Sequence, residues 1–196
     1  SGEILWEKDK KSALYFGELG LDGCLRHTRG ALLAGIFAKN NSIEQIYVPV
    51  MSASETAVSG NVNVKPVRNL NELIRYLRGE TTIKNLKALE IEKLVEMAEA
   101  EFDLAEIVGQ EAAKRALVIA AAGGHNLLMS GPPGSGKTML ARALPGILPR
   151  LTGEESLEVT RVYSAAGLMQ PGEAIIRRRP FRCPHHSTSL VGLIGG

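Results

Sequence analysis

Cysteine is scarce in this chain: Cys24 and Cys183 are the only two in 196 residues, far apart and without a C-x-x-C pair. That argues against a disulfide-stapled scaffold or a zinc ribbon and fits a reducing cytosol, so a cytoplasmic location is expected. No apolar run approaches the ~18–20 residues of a membrane span, and no membrane partner is expected. Internal repeats and low-complexity tracts are absent. The chain begins Ser1-Gly2-Glu3 rather than with methionine, so a targeting peptide upstream is left open. Net charge is only +2, but it is unevenly spread. Residues 1–105 carry 13 basic and 15 acidic side chains, and residues 106–196 carry 10 and 6. The second half is therefore compatible with a polyanionic partner, although the excess is too small to identify one. With 44% hydrophobic and 22% charged residues, the chain suits one large or two small globular units.

Against that plain background one run stands out. Gly131-Pro132-Pro133-Gly134-Ser135-Gly136-Lys137-Thr138 is a complete G-x-x-x-x-G-K-[ST] phosphate loop. Asn126–Ser130 before it reads as a short buried strand, and Met139–Leu144 after it reads as the first turns of a helix. Strand, loop and helix in that order are the context the motif requires. Glycines let successive N–H groups curl round a polyphosphate, and the following helix dipole points at the same anion. Lys137 is expected to reach the β- and γ-phosphates, and the Thr138 hydroxyl to ligate Mg²⁺. The bland alternative, a Gly/Pro-rich surface turn, has neither the flanking strand nor the helix to explain it.

The first hundred residues read as a small α/β unit of order β-β-α-β-(α)-β-α. Residues 13–19 and 24–28 look like strands around Leu21-Asp22-Gly23, where Asp-Gly signals a hairpin. Gly30–Lys39 reads as a helix ended by Asn40-Asn41. Gln45–Val50 reads as a strand stopped by its proline, and Asn61–Val67 as another by alternation. Asn69 is placed to cap a short helix to Arg78, with Glu72 at the reciprocal position. Residues 80–103 carry Ile83, Leu86, Leu89, Leu94, Ala98 and Phe102 as one apolar stripe, which predicts a linker helix. Gln110–Ala122 predicts a second helix ended by Gly123-Gly124. Pro145 and Pro149 are expected to end the helix after the phosphate loop, and Thr152-Gly153-Glu154-Glu155 to box the start of one running to Gly167.

The residues around the loop carry a resemblance. Val108-Gly109-Gln110-Glu111, then Gly123-Gly124-His125-Asn126-Leu127-Leu128, lead into the phosphate loop. Leu144-Pro145-Gly146 and Arg179-Pro180-Phe181-Arg182-Cys183-Pro184-His185-His186 follow it. Together with Phe16-Gly17-Glu18-Leu19-Gly20-Leu21-Asp22-Gly23, these strings resemble the YifB/ComM family of magnesium-chelatase-like AAA+ ATPases over nearly the whole chain. The resemblance implies an α/β architecture: the C-terminal part of a Lon-protease-like domain at 1–79, a linker helix at 80–103, and the start of an incomplete P-loop AAA+ domain at 104–196. It further implies that the intact protein is an enzyme, an ATP-driven, homo-oligomeric ring motor that remodels DNA by branch migration. Gly109 and Gln110 would lie near the adenine, and the nucleotide contacts would extend from Gly131 to Met139. The Walker B strand, with its Asp-Glu pair, would follow the segment that ends here at Gly196. The chain by itself is therefore expected to bind ATP and hydrolyse it negligibly.

Two other classes are weighed beside this one: the ATPase subunit of a metal chelatase, and a non-catalytic nucleotide-binding module. A serine–lysine peptidase is disfavoured, because the resemblance puts Leu32 where the catalytic amine is needed. Arg177, Arg178, Arg179 and Arg182 form the densest basic cluster and are the candidates for nucleic-acid phosphates. A solvated hairpin is the simpler account, since Phe181 is the only aromatic among them. Cys183, His185 and His186 lie too close together for half a zinc finger, with no second pair nearby, and a strand end with ordinary polar contacts explains them.

Overall fold

A computed structural model describes residues 12–97, 102–185, 187–189 and 191. Along the chain come strands β1 (Ala13–Tyr15), β2 (Glu18–Leu19) and β3 (Leu25–Arg26), helix α1 (Ala31–Asn40), strand β4 (Gln45–Pro49) and helix α2 (Val50–Ala57). Strand β5 (Asn63–Val67) and helices α3 (Leu70–Leu77) and α4 (Ile91–Glu96) follow. A 3-10 turn at Leu104–Glu106 precedes α5 (Glu111–Gly123), α6 (Lys137–Ile147) and α7 (Gly153–Ala166). The architecture is mixed α/β, as the sequence predicts, and its three-stranded sheet is parallel. Packing groups the described residues of Ser1–Met97 with Leu151–Arg177, and those of Ala98–Arg150 with Arg178–Gly196.

In the first unit β4 is the central strand, paired in parallel with β1 on one side and β5 on the other. Its alternation serves two covered faces, as parallel strands demand. Ile46 and Val48 are fully buried with Ala34, Ala53, Ala57 and Val64. Tyr47 faces the opposite way, stacked on Tyr15 with ring centroids 4.7 Å apart, and packs with Val67 and Ile83. Burial there, and the neighbouring Tyr76 and Tyr15, push the Tyr47 phenol well above its ordinary range. The run read as one strand over 13–19 is instead two. β1 joins the parallel sheet, whereas β2 pairs antiparallel with β3 around the turn that Asp22 closes by accepting the Cys24 N–H. Asn69 caps α3 as expected, taking the Glu72 N–H at 2.8 Å, but the Glu72 carboxylate reaches back to the Arg68 N–H rather than to Asn69.

Two contacts fix α1 on α2. A Cβ on Gly35 would lie 2.9 Å from the Thr56 carbonyl oxygen, so only glycine lets the two helices come this close. At the start of α1 the buried Glu55 carboxylate accepts the Leu32 N–H at 3.1 Å, filling one of the orphan donors of a helix's first turn.

The linker helix expected over 80–103 is much shorter: among the described residues only Ile91–Glu96 is helical. The preceding stretch lies along the open edge of β5, where Leu86 N–H donates to the Val64 carbonyl and Lys65 Nζ donates to the Ile83 carbonyl. An edge strand offers unpaired peptide groups, and filling them outweighed a weak helical preference. The supposed stripe is consequently shared out. Ile83 joins the Tyr47 cluster, Leu86 packs against the Ile46 cluster, and Leu94 packs against Leu32. Ala98 lies outside the described residues.

Helix α7 completes the first unit through a buried polar stripe. Thr152 and Glu155 form the expected capping box and Gly167 ends the helix in the left-handed region. Ser156, Thr160 and Ser164 are all buried, four residues apart on one face. Thr160 Oγ1 donates to the Ser156 carbonyl at 2.6 Å and accepts the Ile176 N–H at 2.9 Å, while Ser156 Oγ donates to the Ile176 carbonyl. Those bonds seat Ile175 beside Leu32 and Val58. The Ser164 hydroxyl alone finds no partner among the described residues, although its carbonyl accepts the Gly30 N–H.

In the second unit Leu104, Ile107, Leu117, Leu140 and Ala143 form the core. α6 does not stop at Pro145 but continues to Ile147. The proline forfeits its own hydrogen bond, yet Leu144 and Ile147 pack against the core and hold the last turn. The strand expected at Asn126–Ser130 is absent. No segment among the described residues pairs with it, Leu128 is 94% exposed, and only Met129 packs against the core. A strand without a neighbour leaves its peptide groups to water, so the apolar run does not become a sheet.

Two outcomes follow from this packing. Thr160→Val should destabilise the chain by about 1–3 kcal/mol, because the Ile176 N–H loses its acceptor. Ser164→Ala, removing a hydroxyl with no partner among the described residues, should be neutral or stabilising by up to about 1 kcal/mol. Urea denaturation of both variants checks the pair, and equal losses would contradict the bonding described. Hydrogen exchange should also separate the two apolar runs, with strong protection over 45–50 and little over 126–130. Comparable protection in both would show that 126–130 pairs after all.

Candidate phosphate-binding site

The loop between residue 130 and α6 turns on two left-handed glycines, Gly134 at φ +80° and Gly136 at φ +83°. Side chains other than glycine are strained at such angles. Gly136 is also the residue from which α6 springs, so Lys137 is the helix's first residue and Thr138 its second. Thr138 and Met139 are exposed. Pro132 and Ser135 close a turn between them, with Ser135 N–H on the Pro132 carbonyl at 3.4 Å. Pro133 is exposed at its tip.

The Lys137 ammonium is fully engaged by its own loop. It donates to the carbonyl oxygens of Gly131 and Pro132, both at 2.8 Å, and to Ser135 Oγ at 3.3 Å. An ammonium has three protons, and here each has an oxygen. The loop thus forms a small ring of acceptors round one cation. A polyanion that displaces those neutral oxygens gains a charge-assisted contact in return.

A cavity of about 330 Å³ opens beside this lysine, between α5 residues such as Ala113 and Ala116 and the exposed run Leu127–Ser130. That is at the lower end of the size range of small-ligand pockets. Among the described residues no carboxylate lines it. The cavity can therefore grip an anion, but its described walls offer no carboxylate to activate water.

Gly109 and Gln110 are both left-handed, at φ +70° and +58°. Gln110 lines the cavity, and its side chain does not cap α5, which it precedes. It runs instead to the phosphate loop, where Nε2 donates to the Ser135 carbonyl at 3.4 Å. The family resemblance implies a place near an adenine for this residue and says nothing of the hydrogen bond, since nothing in a glutamine's identity announces a left-handed backbone.

None of the other candidates is among the described residues that line the cavity. Arg177, Arg178 and Arg182 are exposed in a stretch without helix or strand, and Arg179 Nε donates to the Pro149 carbonyl at 2.8 Å. His185 Nδ1 is engaged within its own turn, 2.7 Å from Ser187 Oγ. Cys183 is exposed and unbridged. His186 lies outside the described residues. Among the described residues no group of three His, Cys, Asp or Glu side chains could hold a metal ion, and no helix is long and apolar enough to cross a membrane. Leu32 is fully buried in an apolar cluster with Val58 and Ile175.

With this geometry in hand, comparison with known proteins decides the family. The family described as magnesium chelatase, subunit ChlI, matches residues 103–196. Competence protein ComM of Haemophilus influenzae is 38% identical over 185 residues, covering 93% of this chain and 36% of that protein. Uncharacterized protein YifB of Escherichia coli is 38% identical over 180 residues, covering 92% and 34%. The chain belongs to the YifB/ComM magnesium-chelatase-like family. An uncharacterized protein of Mycobacterium tuberculosis is similar as well, 44% identical over 191 residues and covering 97% of this chain and 37% of that protein. The chain spans about a third of the length of the curated relatives it matches.

Proposed function

We propose that this chain holds the triphosphate of ATP, with Mg²⁺, through Gly131–Thr138, and that it is the nucleotide-gripping portion of an AAA+ ring motor acting on DNA. The observation that carries the reading is the Lys137 ammonium, seated on loop carbonyls at the mouth of a cavity and at the first residue of a helix. On binding, Lys137 exchanges those carbonyls for phosphate oxygens. Gly134 and Gly136 keep the loop free of side chains at its left-handed turns, and the α6 dipole adds its positive end. Mg²⁺, when bound, would neutralise phosphate charge, with the Thr138 hydroxyl as its ligand from this chain. As family segments, 1–79 would be the C-terminal part of a Lon-like domain, 80–103 a linker and 104–196 the opening of the AAA+ domain.

A cavity without a carboxylate among its described walls supports binding over turnover for this chain alone. Lys137→Ala should abolish most affinity for a fluorescent ATP analogue, because its charge and its hydrogen bonds leave together. Equal affinities for wild type and variant would refute the reading, as would rapid steady hydrolysis by the wild-type chain.

DNA is favoured over a tetrapyrrole chelatase partner by the name of one relative, a competence protein, and by the exposed arginines. Arg177 and Arg178 are the cleaner pair to test, since Arg179 is tied to Pro149. Substituting both with alanine should flatten the log–log salt dependence of duplex binding by about 0.9 for each phosphate that an arginine no longer neutralises, without changing ATP affinity. Fluorescence anisotropy across a salt series measures it. An unchanged slope would place the DNA interface elsewhere, and no DNA binding by the wild type at low salt with ATP would favour the chelatase reading.

A further inference from the structure

We propose that Gln110 is a positioning residue for the phosphate loop, holding the Ser135 carbonyl and so aiming the Gly136 N–H. The proposal rests on the nucleotide-binding reading above and assigns Gln110 a role different from adenine contact.

Three features lead to it. Gln110 occupies the left-handed region, which a non-glycine residue enters only at a cost, and the cost has no local return, because the side chain does not cap the helix that it precedes. What that backbone conformation accompanies is a long reach: Nε2 to the Ser135 carbonyl at 3.4 Å, across 25 residues of chain. Ser135 is moreover the residue whose hydroxyl also receives a Lys137 proton, so one residue is held from two sides. Gln110 takes its carbonyl and Lys137 its side chain.

The consequence follows from the planarity of the peptide bond. The bond between Ser135 and Gly136 is trans, so the Ser135 C=O and the Gly136 N–H point in opposite directions across one rigid plane. Gly136 is left-handed and carries no side chain to hinder rotation of that plane. Left alone, the peptide could turn its carbonyl toward an incoming phosphate, which would repel it. A donor fixed on the carbonyl from the α5 side prevents the flip and keeps the amide facing away from Gln110. Gln110 thus prepares one N–H of the loop before any anion arrives, without touching the anion itself.

Calorimetric titration of the whole chain with Mg·ATP and, separately, with inorganic tripolyphosphate tests this. Gln110→Gly keeps the left-handed backbone and removes the amide. Gln110→Asn tolerates the same backbone with a shorter reach, and serves should the glycine variant fold poorly. Both variants should lose about five-fold in affinity, the worth of one ordinary hydrogen bond, and lose it equally for the two ligands. The Gly136 amide resonance should also shift in the ligand-free variants. A loss confined to Mg·ATP would mean that Gln110 meets the base, and unchanged affinities would mean that it positions nothing. Either result overturns the proposal. A wild-type chain that binds neither ligand overturns the nucleotide reading itself, and the proposal with it.

Discussion

A peptide group withdrawn from water must find a hydrogen-bond partner, and the two units meet that demand differently. In the first, β4 is paired on both sides, the outer edge of β5 gives its Val64 carbonyl to the Leu86 N–H, the Ile83 carbonyl is taken by the Lys65 ammonium, and the peptide of Ile176 is seated on the hydroxyls of Ser156 and Thr160. Helices lock at closest approach where Gly35 meets Thr56, and a buried carboxylate completes the first turn of α1. In the second unit helices satisfy themselves, but the run 126–130 has no described strand beside it and stays exposed. The order of the first unit and the openness of the second come from the same rule.

The phosphate loop obeys that rule with charge instead of sheet. Lys137 is the cation of the cradle, and without an anion it is satisfied by the loop's own oxygens. The loop is therefore held in shape by the side chain that later serves the ligand. This lowers the ordering cost of binding, since the turn, the glycine angles and the start of α6 are already set.

Local chemistry was legible in the sequence where one or two residues decide it. Asn69 and Thr152 announced helix starts, Asp22-Gly23 a turn, and Gly123-Gly124 a helix end, and each appears where side-chain or backbone chemistry put it. The phosphate-loop motif was equally plain, because its residue types leave few alternatives. What could not be read was anything decided by a distant neighbour. Ile83 and Leu86 have helical spacing, yet an open strand edge claimed them. Asn126–Ser130 has strand composition, yet no described segment pairs alongside. Pro145 ought to break a helix, but Leu144 and Ile147 carry it onward by packing. The hydrogen bond from Gln110 to Ser135 depends on a backbone angle that no pattern of residue types encodes.

Helix α7 brings in a matter of timing. The apolar cluster around Leu32 and Val58 is closed by Ile175, and the stripe that seats it lies on α7. A ribosome delivers residues in order, so the phosphate loop has left the exit tunnel before the unit that began first can finish its core. Until Ile175 emerges, Leu32 and Val58 lack the last part of their cover, and the nascent chain carries two half-built units at once. Synthesis of such an interleaved chain cannot proceed one finished domain at a time, and its most exposed moment falls midway, with the nucleotide loop already made and the older unit still open.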